Sequence, residues 1–305
     1  MFTGLSAFPL TPLREEELDE SAFLRLIQHL AVARVDSIGV LGSTGNYMYF
    51  DRPERRRIIE LAVGAAGDIP VMASISALRI REVLAMAEDA QRAGVTAVLL
   101  APVSYQPLTE AETYLLYEQV TRHLSVPLCV YDNPRVTKFT FSDELHGRIA
   151  ALPHVQSVKL PGVPLDPQEA RQHVQRLRSH VPEGFALGVS GDRYGASGLL
   201  AGCDVWYSIL GGLFPRTCLK MVRHAQAGRM KEALEQSAQL KPIWDLFDRY
   251  GGLRVAAAIA IRLGLMEAPG LPLPLMPIVQ TELQEIEEQL DSLAAQEGIF
   301  SVRSE

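Results

Sequence analysis

Cysteine is scarce in this chain of 305 residues, with only Cys129, Cys203 and Cys218 present. No C-x-x-C pair occurs, and none of the three stands at a spacing that would build a zinc site with nearby histidines. A disulfide scaffold is therefore excluded, and a reducing cytoplasm is the expected setting. No apolar run approaches the roughly 18 residues of a membrane span. The opening MFTGLSAFPL has neither a basic n-region nor a long apolar core, so no secretory signal is expected. Positive charge is also in deficit, with 29 Lys and Arg against 36 Asp and Glu and a formal net charge of −7. An unaided nucleic-acid binder would carry a basic face, so small metabolites are the natural partners. Lysine is the rarer cation: Lys138, Lys159, Lys220, Lys231 and Lys241 are five residues against 24 arginines.

What is present is ordinary globular composition, 48% hydrophobic and 21% charged. Short β-branched runs alternate with amphipathic segments of helical period, the signature of βαβ units on a parallel sheet. Eight strands are predicted, at 4–9, 37–41, 71–75, 97–101, 128–131, 155–160, 185–190 and 205–209. Eight repeats favour closure into a TIM (β/α)8 barrel over an open sheet. Asp51 ahead of Pro53-Glu54 and Thr109 ahead of Glu112 read as helix N-caps. Past about residue 225 the strand signal stops, and 230–249, 253–263 and 278–295 read as helices. The stretch 268–277 carries four prolines and reads as an extended connector. The expected division is a catalytic barrel over 1–225 and a C-terminal helical extension over 226–305.

Lys159 sits near the end of the apolar run Val155-Gln-Ser-Val-Lys-Leu160. Period-two alternation places Val155, Ser157 and Lys159 on one face, pointing into the barrel. Desolvation there favours the neutral amine, which is the form that condenses with a ketone. The competing reading is a lysine paired with a carboxylate inside the barrel. Tyr131 ends the preceding strand, and adjacent barrel strands bring their C-terminal ends together, where barrel active sites lie. A phenol beside an amine can carry protons during imine chemistry. Strand two ends in Gly42-Ser43-Thr44-Gly45, a turn whose N–H groups and two hydroxyls can converge on the carboxylate of a 2-oxo acid.

Six motifs in register resemble the dihydrodipicolinate synthase and N-acetylneuraminate lyase superfamily of Schiff-base class I aldolases. They are Gly4-Leu-Ser-Ala-Phe-Pro-Leu-Thr11, Gly42-Ser-Thr-Gly45, Tyr131-Asp-Asn-Pro134, Val158-Lys159, Gly188-Val-Ser-Gly-Asp192 and Gly202-Cys-Asp-Val-Trp-Tyr-Ser208. The resemblance implies that Lys159 is the Schiff-base lysine, Tyr131 the proton-relay phenol, and Ser43 and Thr44 the carboxylate-binding and relay hydroxyls. It places Tyr207 where members offer a backbone carbonyl near the imine. It also implies pyruvate or a related 2-oxo acid plus an aldehyde as partners, a homotetramer built as a dimer of dimers, and no metal or organic cofactor.

Three positions depart from the synthase pattern. Val136 stands where synthases carry the arginine that holds the second substrate's carboxylate, with Arg135 one residue early and Lys138 two residues on. Ser104, followed by Tyr105, replaces a phenol that crosses a subunit interface. Asn46 replaces a common glutamate. The expectation is a Schiff-base lyase or aldolase whose acceptor aldehyde is not aspartate semialdehyde. The alternatives are a true 4-hydroxy-tetrahydrodipicolinate synthase, a 2-keto-3-deoxy sugar acid dehydratase or aldolase, and a non-catalytic pyruvate-binding sensor.

Overall fold

The computed structural model describes residues 1–299. Eight parallel strands close into the barrel that the alternation predicts: β1 Gly4–Ala7, β2 Ser37–Val40, β3 Val71–Ser74, β4 Ala97–Leu100, β5 Leu128–Tyr131, β6 Val155–Leu160, β7 Ala186–Ser190 and β8 Val205–Ser208. Each pairs with its successor and β8 closes on β1, with Gly4 opposite Val205 and Ala7 opposite Ser208. Several strands end a residue or two before the predicted limit, because the last residues already turn into the loops. A two-residue hairpin, Leu13–Arg14 with Glu17–Leu18, follows β1 outside the barrel sheet.

Side chains divide by strand parity. Outward residues such as Val98, Leu100, Leu128 and Val130 join the large core between sheet and helices. Inward residues, among them Phe8, Met72, Leu99, Cys129, Tyr131 and Tyr207, fill the barrel interior. Gly39 and Gly188 make room there, since a Cβ on either would collide with the Phe8 or the Tyr207 ring. The parity of β6 is broken once. Leu128 pairs with Val155 but Cys129 pairs with Ser157, so Gln156 is an extra residue, a β-bulge. Val155 consequently joins the outer core, whereas Ser157 and Lys159 keep the inward orientation that strict alternation had also given Val155.

Helices cover the sheet, and two of them begin at the caps read from sequence. Asp51 and Glu54 form a reciprocal capping box on Arg52–Ala65, and Thr109 and Glu112 form another on Glu110–Thr121. Beyond the barrel's last helix, Pro215–Gln226, the predicted helix over 230–249 is two helices, Met230–Gln239 and Lys241–Tyr250. Pro242 supplies no N–H for the ladder, so it ends one helix and opens the next. The segment predicted over 278–295 is a 3-10 turn, Gln280–Ile286, followed by helix Glu287–Glu297. Residues 268–277 form no helix or strand, and 300–305 lie outside the described residues. No described helix is long and apolar enough to cross a membrane.

Candidate active site

Pairing of β5 with β6 sets Tyr131 directly opposite Lys159, at the C-terminal ends of both strands. Both side chains are buried. Lys159 Nζ lies 3.8 Å from the Phe8 ring centroid, 4.4 Å from that of Tyr131 and 5.7 Å from that of Tyr207. Its environment is therefore aromatic faces, which stabilise a cation weakly compared with an ion pair. Among the described residues no carboxylate approaches it within ion-pair distance, so the reading of Lys159 as half of a structural ion pair is not realised.

The Tyr131 phenol is held from two sides. Asn133 Nδ2 donates to it at 2.8 Å, and Ser43 Oγ shares a hydrogen bond with it at 3.1 Å. Burial opposes ionisation of Tyr131, but the Lys159 ammonium, the Ser43 and Asn133 bonds and the Arg135 charge outweigh it. Together they hold the phenol below the ordinary tyrosine value. Below the pair, Tyr207 points into the barrel and its hydroxyl bonds Ser157 Oγ at 2.8 Å and Cys129 Sγ at 3.3 Å. Burial pushes the Tyr207 phenol well up.

Asp192 is the buried carboxylate on the other flank. It accepts from Ser208 Oγ at 2.5 Å and from the N–H groups of Ile209 at 3.2 Å and Leu210 at 3.1 Å. These bonds fasten the loop after β7 to the loop after β8. Burial nevertheless raises the Asp192 carboxyl above the usual range.

Lys159, Tyr131, Ser43, Asn133, Tyr207 and Asp192 open on one cavity of about 480 Å³ at the C-terminal mouth of the barrel. Of the residues singled out from sequence, Lys159, Tyr131, Ser43, Thr44, Tyr207 and Arg135 line it, together with Val136. Gly45 does not. It lies beneath the turn, where its carbonyl accepts from Thr11 Oγ1 at 3.1 Å. Lys138 is turned back on its own loop, donating to the Arg135 carbonyl at 2.8 Å. Ser104 and Tyr105 do not line the cavity, and Tyr105 is 90% exposed. Asn46 is buried, with neither amide atom bonded to another described residue.

Phe8, Asn133 and Asp192 had no role in the reading from sequence, although each stands inside one of the six motifs. A second omission is the outer wall, built by Tyr194, Trp244, Phe247 and Tyr250. Among the described residues no group of three or more His, Cys, Asp or Glu side chains could hold a metal ion.

A closed parallel barrel with an inward lysine and a tethered phenol at adjoining strand ends defines an aldolase-type barrel. The chain belongs to the dihydrodipicolinate synthetase family, whose sequence profile matches residues 1–293. Members of that family are lyases. The chain is 26% identical over 296 residues to the 4-hydroxy-tetrahydrodipicolinate synthase of Rickettsia rickettsii (strain Sheila Smith), covering 96% of this chain and 98% of that protein. The solved dihydrodipicolinate synthase of Agrobacterium tumefaciens str. C58 is 45% identical with a TM-score of 0.91, over 96% of this chain and 98% of the other. A structure described as the first monomeric dihydrodipicolinate synthase variant has the same fold, at 22% identity and a TM-score of 0.86 over 98% of each chain.

Proposed function

We propose that the protein is a metal-independent Schiff-base lyase or aldolase acting on pyruvate or a related 2-oxo acid, with an acceptor other than aspartate semialdehyde. The observation that carries this reading is Lys159 Nζ 4.4 Å from the ring of a phenol that Ser43 and Asn133 hold by hydrogen bonds.

In the proposed cycle the Lys159 amine adds to the ketone carbon of the 2-oxo acid. Tyr131 gives a proton to the carbinolamine oxygen, which leaves as water, and the C=N bond forms. The Tyr131 phenolate left by that step takes a proton from the adjacent carbon, which yields an enamine with the iminium nitrogen as the electron sink and restores the phenol. The enamine carbon bonds to the aldehyde carbon, and the carbonyl electron pair collapses onto oxygen, which takes a proton from Tyr131. Water then hydrolyses the imine and frees Lys159. Ser43 and Thr44 stand at the glycine-flanked turn, where the acid's carboxylate would be held.

Arg135 favours a second reading, a true 4-hydroxy-tetrahydrodipicolinate synthase with relocated carboxylate recognition, because its residue lines the cavity beside Val136. We prefer the first reading because Arg135 is exposed and enters from a different position of the turn. By family likeness we propose a cytoplasmic homotetramer. Light scattering tests this assembly against a monomer such as the variant above.

Borohydride reduction in the presence of pyruvate tests the chemistry, since it traps only an imine. One reduced adduct per chain is expected on Lys159, and none in Lys159→Arg, because a guanidinium stays protonated. An adduct that persists in Lys159→Ala would overturn the assignment.

A further inference from the structure

Phe8 follows β1 directly, its N–H donating to the Ser208 carbonyl at 2.8 Å, and its side chain is buried in the barrel interior. Of the three rings around Lys159 Nζ it is the nearest, with the nitrogen 3.8 Å from its centroid. That separation is van der Waals contact with the ring face. Lys159 lines the cavity and Phe8 does not, so the ring backs the amine while the substrate is met on the open side.

The ring is held in this attitude. Tyr207 meets it edge-on, with centroids 5.9 Å apart and planes at 83°. A Cβ at Gly39 would fall 2.3 Å from Phe8 Cζ, and one at Gly42 would fall 2.7 Å from Cδ1. Two bare positions, one in β2 and one in the turn that carries Ser43 and Thr44, therefore make the space that this ring fills.

Other groups able to answer a positive charge on Nζ are already engaged. The Asp192 carboxylate feels the Lys159 charge, but it accepts from Ser208 Oγ and from the N–H groups of Ile209 and Leu210. The Tyr131 oxygen is shared with Ser43 and Asn133. An ion-paired carboxylate in contact would hold the resting amine as ammonium and oppose its attack on a ketone. A ring face attracts a cation more gently, cannot take a proton and forms no hydrogen bond that would compete with Tyr131.

Charge appears on this nitrogen at one stage of the cycle. The carbinolamine is neutral. When its oxygen leaves as water with the Tyr131 proton, the C=N bond forms and the nitrogen becomes cationic. When the phenolate takes the proton from the adjacent carbon, the electron pair of that C–H bond moves toward nitrogen and the enamine is neutral again. Resting on the imine reading above, we propose that Phe8 is a catalytic residue whose ring face stabilises the cationic iminium on Lys159 over the neutral carbinolamine before it and the neutral enamine after it. The negative face of the ring quadrupole supplies the attraction, and burial of the pair strengthens it.

The test is to drain the ring face while keeping its shape. Phe8→4-fluorophenylalanine, Phe8→3,5-difluorophenylalanine and Phe8→3,4,5-trifluorophenylalanine would be introduced by stop-codon suppression into the full-length protein. Each is examined with saturating pyruvate alone, by borohydride trapping and by exchange of the pyruvate methyl hydrogens in deuterium oxide. Exchange requires conversion of the cationic iminium to the neutral enamine, so a weaker face should speed it. The expected result is exchange that rises stepwise with fluorination, to roughly three- to tenfold for the trifluoro ring, with one borohydride adduct per chain throughout. Phe8→Tyr adds bulk at the same ring edge but keeps the face, and its exchange should stay near the native rate. Exchange that is flat or falls along the series, or that rises equally in Phe8→Tyr, would overturn the role of Phe8 and leave the imine reading standing. Absence of an adduct in the native protein would remove both.

Discussion

Asn133 Nδ2 donates to the Tyr131 hydroxyl at 2.8 Å, which fixes the direction of the phenol's proton. An amide N–H can only donate, so the Tyr131 oxygen accepts on that side. The phenolic hydrogen is left to point to Ser43 or to a reacting oxygen. The residue that ends β5 is therefore oriented as an acid by the turn that follows it.

Tyr131→Phe removes this proton and little volume. Turnover should fall by roughly 10²- to 10⁴-fold, the usual contribution of a general acid-base group, with the fold intact by circular dichroism. Unchanged turnover would reduce Tyr131 to a core phenol.

Asn133→Leu should act on the pH profile. The native phenol titrates below the ordinary tyrosine value, so rate that depends on its proton is lost early on the alkaline side. Removing a donor that favours the phenolate raises the Tyr131 pKa. The alkaline limb of kcat should move up by about one pH unit or less, the worth of one hydrogen bond. A variant that only lowers the melting temperature would assign Asn133 a structural role.

Val136 is 48% exposed at the cavity, at the position where the synthase pattern carries the arginine for the second substrate's carboxylate. We expect poor activity with that aldehyde, and Val136→Arg should raise its kcat/KM by roughly one to two orders of magnitude. Native kcat/KM above about 10⁴ M⁻¹s⁻¹, with no gain in the variant, would instead support the synthase reading.

In the proposed cycle the iminium accepts the electrons that a metal would otherwise polarise. Chelation followed by dialysis should accordingly leave both borohydride trapping and turnover unchanged. Loss of turnover restored by a single divalent ion would contradict it.

Glu297 ties the last described helix to the barrel, accepting from Arg216 N at 3.1 Å, Thr217 N at 2.9 Å and Thr217 Oγ1 at 3.2 Å. Burial raises its carboxyl above the model-peptide range despite those bonds and the Arg216 charge. A raised carboxyl favours the protonated form in the folded state. Its stabilising share is complete below the unfolded pKa of about 4.3 and is lost as pH rises through the folded value. Glu297→Gln, which cannot ionise, should therefore gain melting temperature relative to the native protein between pH 4 and pH 7. A pH-independent difference would argue against the raised carboxyl.

The barrel, its strand count and Lys159 were legible because they depend on local rules. Strand parity has period two, caps lie within one turn, and a lone lysine in an apolar run stands out in a chain rich in arginine. The inward placement of Val155 failed for a local reason that is invisible in composition: the bulge at Gln156 is a property of the pairing with β5, and no residue type announces it. Helix 230–249 was read through Pro242 because its hydrophobic period continues across the break.

The sequence by itself thus determined which residues could do chemistry, since a buried amine, a phenol and a glycine-flanked turn are chemical identities. Tertiary structure alone decided what surrounds them. Ser43 reaches the Tyr131 phenol across 88 residues of chain. Tyr194, Phe247 and Tyr250 share a wall with Lys159 only because Arg193 draws helix Lys241–Tyr250 over the barrel mouth through Asp245 and Asp248. Such contacts are set by the packing of distant elements, for which neither periodicity nor capping carries a signal.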